Sequence, residues 1–270
     1  MRKTQFTNCL IVVLLTTSSS LAAAPDAPQF SIRKVAEYSA PEAHQAVAVD
    51  KTSFFAITNR SIARYDKLTG ERQAKWAAPD GSAIIHLNSG IVIDGKLYCA
   101  NSNWPKSPLK NSVEVFDATS LKHLQRIAFA ETAGAINWID RRNGSWWIVF
   151  AYYGTEVEKT RLVRFNEKWE ALEEWTFPDS VLKRFSPNSN SGGAFGPGGR
   201  LFATGHDHPE LYVLELPNKY LSEKNAAERN TVLKHIATIA APIAGQGIAW
   251  DPHESSRLYG IVRKEHKVVS

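Results

Sequence analysis

The stretch Ile136-Asn137-Trp138-Ile139-Asp140-Arg141-Arg142-Asn143-Gly144-Ser145-Trp146-Trp147-Ile148-Val149-Phe150-Ala151-Tyr152 reads as two strands folded back about an Asn-Gly turn. Its two runs, Ile136 to Asp140 and Trp146 to Tyr152, are short, apolar and aromatic, and neither carries a helical period. Two further strand-like runs follow, Arg161 to Asn166 and Ala171 to Phe177, which makes a four-strand unit. The same phrase recurs along the chain. One copy is Ala46 to Asp50, Ser53 to Asn59, Ser61 to Asp66 and Arg72 to Ala77; another is Gly90 to Asp94, Lys96 to Ala100, Ser112 to Asp117 and His123 to Phe129. A later copy is Gly193 to Gly196, Arg200 to Thr204, Glu210 to Leu216 and Val232 to Ala240. Repeats of this length made only of strands predict an all-β, five-bladed β-propeller.

The fifth copy stops one strand short, with Gly247 to Asp251, Arg257 to Arg263 and His266 to Val269. Phe30 to Tyr38 has the form of the missing outer strand, so the N-terminal strand is expected to close the last blade and remove an exposed sheet edge. Six blades remain an alternative only if Asp179 to Asn190 hides strands. Asn218 to Asn230, with its mixed charges, reads as a short solvated helix.

Ahead of the repeats, Arg2 and Lys3 precede an apolar run from Leu10 to Leu15 and then Ala22, Ala23 and Ala24. That is the order of a signal peptide over residues 1–24, so residues 25–270 are expected as one propeller domain, exported to a periplasm or secreted. The run is too short for a membrane span of roughly 20 residues, so no membrane contact is expected after cleavage. Cys9 lies in this segment and Cys99 is then alone, which excludes an internal disulfide or a cysteine zinc site. The 270 residues carry 32 basic and 27 acidic side chains, scattered without a basic stripe, so nucleic acid is not expected as a partner. A monomer that takes a small-molecule ligand is the expected state.

In a propeller, the segments leading into each innermost strand and those leaving each second strand share one face. Here they hold Glu42-Ala43-His44-Gln45, His86-Leu87-Asn88-Ser89, Asn188-Ser189-Asn190-Ser191 and Gly245-Gln246, then Asn101-Ser102-Asn103-Trp104, Tyr152-Tyr153, Gly205-His206-Asp207-His208 and Arg263-Lys264. The candidate catalytic residues are His206, oriented by Asp207, with His44 or His86 as its counterpart, because acid–base work near neutrality suits imidazole. Arg263 is the candidate carboxylate fork. Gln45, Asn88, Asn103, Tyr152, Asn190 and Gln246 complete the candidate binding set. Each also has a bland reading: Asn and Ser at strand ends commonly satisfy turn backbone, and a half-buried histidine is commonly a satisfied core residue.

Three histidines from three blades also form a donor set for a metal with an open position. There is no HExxH spacing, and neutral Asn and Gln dominate the rim, so no metal or other cofactor is expected. No Gly-x-Ser-x-Gly elbow or phosphate-binding glycine loop occurs.

The strings Ala43-His44-Gln45-Ala46-Val47-Ala48-Val49-Asp50, Ile85-His86-Leu87-Asn88-Ser89-Gly90, Ser189-Asn190-Ser191-Gly192-Gly193-Ala194, Ala203-Thr204-Gly205-His206-Asp207 and Ile243-Ala244-Gly245-Gln246-Gly247-Ile248-Ala249-Trp250-Asp251 resemble exported bacterial β-propeller proteins labelled cycloisomerases. That group is in turn distantly similar to propeller-type muconate-lactonizing cyclases. The resemblance implies a propeller and a cofactor-free cycloisomerase or lyase acting on a small organic anion. The competing reading is a non-catalytic propeller in which Trp104, Tyr152 and Tyr153 stack on a carbohydrate or peptide.

Overall fold

The computed structural model describes residues 30–129, 134–217, 231–243 and 245–270. The expected signal segment and the expected helix at 218–230 lie outside them. Residues 31–270 form five four-stranded antiparallel sheets. Blade 1 is β2 (Ala46–Val49), β3 (Ser53–Ile57), β4 (Ser61–Asp66) and β5 (Arg72–Ala77). Blade 2 is β6 (Leu87–Ile93), β7 (Lys96–Ser102), β8 (Asn111–Asp117) and β9 (His123–Ala128). Blade 3 is β10 (Ala135–Arg142), β11 (Ser145–Ala151), β12 (Arg161–Phe165) and β13 (Ala171–Thr176). Blade 4 is β14 (Gly192–Phe195), β15 (Leu201–Thr204), β16 (Glu210–Glu215) and β17 (Lys234–Ala240). Blade 5 takes β18 (Ala249–Trp250), β19 (Leu258–Val262) and β20 (Lys267–Val269) from the end of the chain and β1 (Glu37–Ser39) from its beginning. The fold is the five-bladed propeller.

Period-two alternation is what turns these sheets into a ring. On β3, Phe54 packs toward blade 5 beside Tyr259 and Val268, while its neighbour Phe55 packs toward blade 2 beside Leu97 and Phe116. On β11, Ile148 faces Val113 and Val115 of blade 2, whereas Trp147 and Val149 face Leu201 and Tyr212 of blade 4. Successive side chains on a strand point to opposite faces, so an inner strand that is apolar at every position has a partner blade on each side. The outermost strands show the contrast: β5 is half-exposed or exposed along its whole length, because one of its edges meets solvent.

Two expectations are corrected. The closing strand is three residues long rather than nine, although the Val35 and Ala36 amides also bond the Ser270 carbonyl. The stretch from Asp179 to Asn190 holds no strand. It opens with a short helix, α1 (Asp179–Phe185), whose Val181, Leu182 and Phe185 are buried against Phe177, so a sixth blade is excluded.

Candidate functional site

β6 and β10, two of the inner strands, slip register by one residue near their first turn, at Asn88 in blade 2 and at Asn137 in blade 3. A bulge re-aims its extra residue, and here each asparagine reaches sideways into the next blade. Asn88 Nδ2 donates to the Ile136 carbonyl at 3.1 Å, and Asn137 Nδ2 donates to the Asn190 carbonyl. Thr204 Oγ1 donates to the Gln246 carbonyl at 2.7 Å, and the Gly247 amide donates to the Gln45 carbonyl at 2.9 Å. The Leu87 amide donates to the Asn59 carbonyl at 2.9 Å, which joins blades 1 and 2. These five hydrogen bonds link every blade to the next around the channel.

Several rim residues expected to hold a ligand are therefore occupied. The Asn190 carboxamide accepts from Trp138 Nε1 at 2.6 Å and donates to the Gly192 and Thr204 carbonyls, and the residue is fully buried. Gln45 donates its side-chain amide to Asn59 Oδ1 at 2.6 Å. Asn103 bridges the Pro108 carbonyl and the Lys110 amide, which shapes the loop after β7. Tyr152 accepts from Arg161 Nη1 at 3.0 Å, with the same guanidinium against its ring. Gln246 is different. Its backbone sits in the left-handed region at φ +75, unusual for a residue with a side chain, and no described residue hydrogen-bonds its buried carboxamide.

The charged and aromatic rim residues form two groups at this mouth. In the first, Arg263 from blade 5 donates through Nε (3.3 Å) and Nη2 (3.2 Å) to His44 Nε2 of blade 1. A lone pair that accepts from a guanidinium fixes the tautomer, so His44 carries its proton on Nδ1. Burial, then the charges of Arg263, His266 and His86, hold the His44 pKa below the usual histidine range. His86 of blade 2 is likewise lowered, mainly by burial, while it bonds the Trp104 backbone. Trp104, 38% exposed, stacks on Tyr153 of blade 3 with centroids 4.4 Å apart, and the Tyr153 hydroxyl donates to Asn137 Oδ1. No carboxylate among the described residues pairs with Arg263.

In the second group, His206 Nδ1 lies 2.6 Å from Asp207 Oδ1, and Asn188 Nδ2 donates to Asp207 Oδ2 at 2.8 Å. The bond to His206 is the largest influence keeping the Asp207 pKa low. β15 ends at Thr204, and the loop beyond it lets the consecutive side chains of His206 and Asp207 meet. No described residue hydrogen-bonds His206 Nε2. The charge of His86 acts on His44 and that of Arg263 acts on both, whereas His206 acts on neither.

Among the described residues, no three His, Cys, Asp or Glu side chains gather as metal ligands. Cys99 is buried, and burial pushes its thiol far up, so it is not a nucleophile. Two polar residues of blade 3 escaped the sequence reading, Asn137 and Asp140. The available signal was that each interrupts an otherwise apolar inner strand.

No protein-family profile matches this chain, and no curated protein matches its sequence. Among solved structures it is similar to Kluyveromyces lactis Hsv2 with its complete loop 6CD, at 9% identity and a TM-score of 0.38, over 80% of this chain and 55% of that one. The chain thus spans about half the length of that neighbour. The propeller assignment rests on the five sheets themselves.

Proposed function

We propose that this propeller binds a small organic anion at the mouth where its inner strands begin and carries out a cofactor-free isomerase or lyase step there. The observation that carries the reading is Arg263: a guanidinium at a half-buried mouth, held by a neutral histidine and paired with no carboxylate among the described residues. Two of its N–H groups lean on His44, and the remaining donors suit a carboxylate. The Trp104–Tyr153 stack offers a flat wall for an unsaturated or ring-shaped body.

His206 supplies the acid–base group. Asp207 holds its Nδ1–H and stabilises the imidazolium formed when Nε2 takes a proton from carbon. Such a reaction balances without a cofactor: a substrate carboxylate oxygen adds across a carbon–carbon double bond while the proton goes to the adjacent carbon, and the reverse step returns both. The likeness to cycloisomerases points the same way, and the N-terminal segment supports export.

The test uses a panel of short unsaturated mono- and dicarboxylates and their lactones. Wild-type protein is expected to melt higher with at least one of them than with matched sodium chloride, and Arg263→Ala is expected to lose that shift. Incubation in deuterated water should then place deuterium on carbon in the bound compound, and His206→Ala should stop this while binding persists. No stabilisation by any member of the panel overturns the anion site. Binding without exchange favours the second reading, a non-catalytic binding propeller, for which the exposed Trp104 platform is the supporting observation.

A further inference from the structure

At the opposite end of the channel all five inner strands converge on a cavity of about 60 Å³. The last residue that each blade gives to its lining is Val49, Ile91, Asp140, Phe195 and Trp250 in turn. Four are aliphatic or aromatic, and the fifth is a carboxyl group, 6% exposed. Asp140 Oδ1 accepts from the Arg141 amide and Oδ2 from the Phe195 amide, each at 2.6 Å, so each oxygen keeps an unused lone pair. No Lys, Arg or His among the described residues forms an ion pair with it. Arg142, the cation whose field reaches it, is turned to the Gly199 carbonyl and lies over the Phe195 ring. Among the described residues, no other charged group lines the cavity.

A buried carboxylate without a counter-charge is costly, and a cavity beside it is where a counter-charge fits. We propose that this cavity is a binding site for a small organic ammonium ion, whose N–H groups bond Asp140 and whose carbon substituents meet Val49, Ile91, Phe195 and Trp250. A metal cation is the poorer occupant. Calcium and magnesium take six or more oxygen ligands, and one carboxylate in an apolar ring does not provide them. An alkylammonium needs one anion and gains from aromatic faces. The volume sets the size: a water needs roughly 10–15 Å³ by the same measure, so the cavity holds a ligand of only a few heavy atoms. This site is separate from Arg263 and stands or falls without it.

The experiment titrates ethylammonium chloride against matched sodium chloride near neutral pH and follows the amide resonances of Arg141 and Phe195, the two donors to Asp140. A saturable shift of both is expected with ethylammonium and not with sodium. Asp140→Asn, of equal size but uncharged, should abolish it, and Arg263→Ala should retain it. Burial raises the Asp140 pKa to about 6, so wild-type protein about one pH unit below that should bind roughly tenfold more weakly. No saturable shift in the wild type, an equal shift with sodium, or the same affinity on the acid side each overturns the proposal. The acid titration needs no variant, so it decides the matter even where Asp140→Asn does not fold.

Discussion

Tyr38 lies directly opposite Val268 in the seam of blade 5, so the ring is closed by residues 230 positions apart in the chain. The join is more than a ladder: Tyr38 packs 4.9 Å from the Phe54 ring of blade 1 and donates its hydroxyl to the Lys67 carbonyl. Deleting residues 25 to 41 is therefore expected to strip the outer strand from blade 5 and its anchor from blade 1. The truncated protein should aggregate or melt well below the full chain by calorimetry, because it gains an unpaired edge. Normal melting would show that the seam is dispensable.

A different weakness is built into the channel ring. Asn190 receives the Trp138 indole N–H and donates to two carbonyls, all in a fully buried setting. Asn190→Ala leaves the buried Trp138 N–H without its acceptor and takes one donor from each of two carbonyls, of which the Thr204 carbonyl keeps the Ser191 amide, an expected loss of about 2 kcal/mol in urea unfolding with an unchanged m-value. A loss under roughly 1 kcal/mol would place Asn190 among surface positions and undo its role as a joint between blades 3 and 4.

The blades were legible in the sequence because strand chemistry is local. An Asn-Gly turn, an alternating face and a repeat length can each be read within a few residues, and even the closing strand was found by matching its form to other outer strands. The function of rim polar residues was less legible, because it depends on which blade a side chain crosses to. Asn88 and Asn190 looked like ligand-binding groups, yet their donors go to protein carbonyls, since a bulge turned Asn88 sideways and Trp138 drew in Asn190. Asp140 was read as the end of a strand. Its isolation in an apolar ring emerges only when five blades meet.

His206 and Asp207 lie outside the packed core, with side chains 40% and 51% exposed. A surface pair of this kind adds little to stability. His206→Ala is expected to move the melting temperature by no more than a few degrees, whereas His86→Ala, which vacates a more enclosed position against Trp104, should lower it further. Parallel thermal melts check the order. If His206→Ala is the more damaging of the two, the dyad is a structural joint, and the proton-transfer role assigned to it loses its basis.

The Asp140 carboxyl gives stability a pH dependence with a definite sign. Its pKa rises from 3.8 to about 6 on folding, burial being the main cause and the two backbone N–H bonds acting against it. Well below pH 4 both states are protonated, and well above pH 6 both are ionised. Between those values only the folded state keeps the proton, so the contribution of this group is present on the acid side and is lost as pH rises through the window. The change is on the order of 3 kcal/mol for a shift of this size. His44 and His86 act in the other direction, because their lowered pKa values let the unfolded chain take protons first as pH falls below about 6.5. The wild-type profile mixes the two trends, so the informative quantity is the difference in unfolding free energy between the wild type and Asp140→Asn. Measured in urea across the range from about pH 4 to 7 without added amines, that difference should fall as pH rises through the window and be flat above it. A difference that grows with pH would mean that the folded protein prefers the anion, and that a positive group of the chain already stands where the small ammonium ion has been placed.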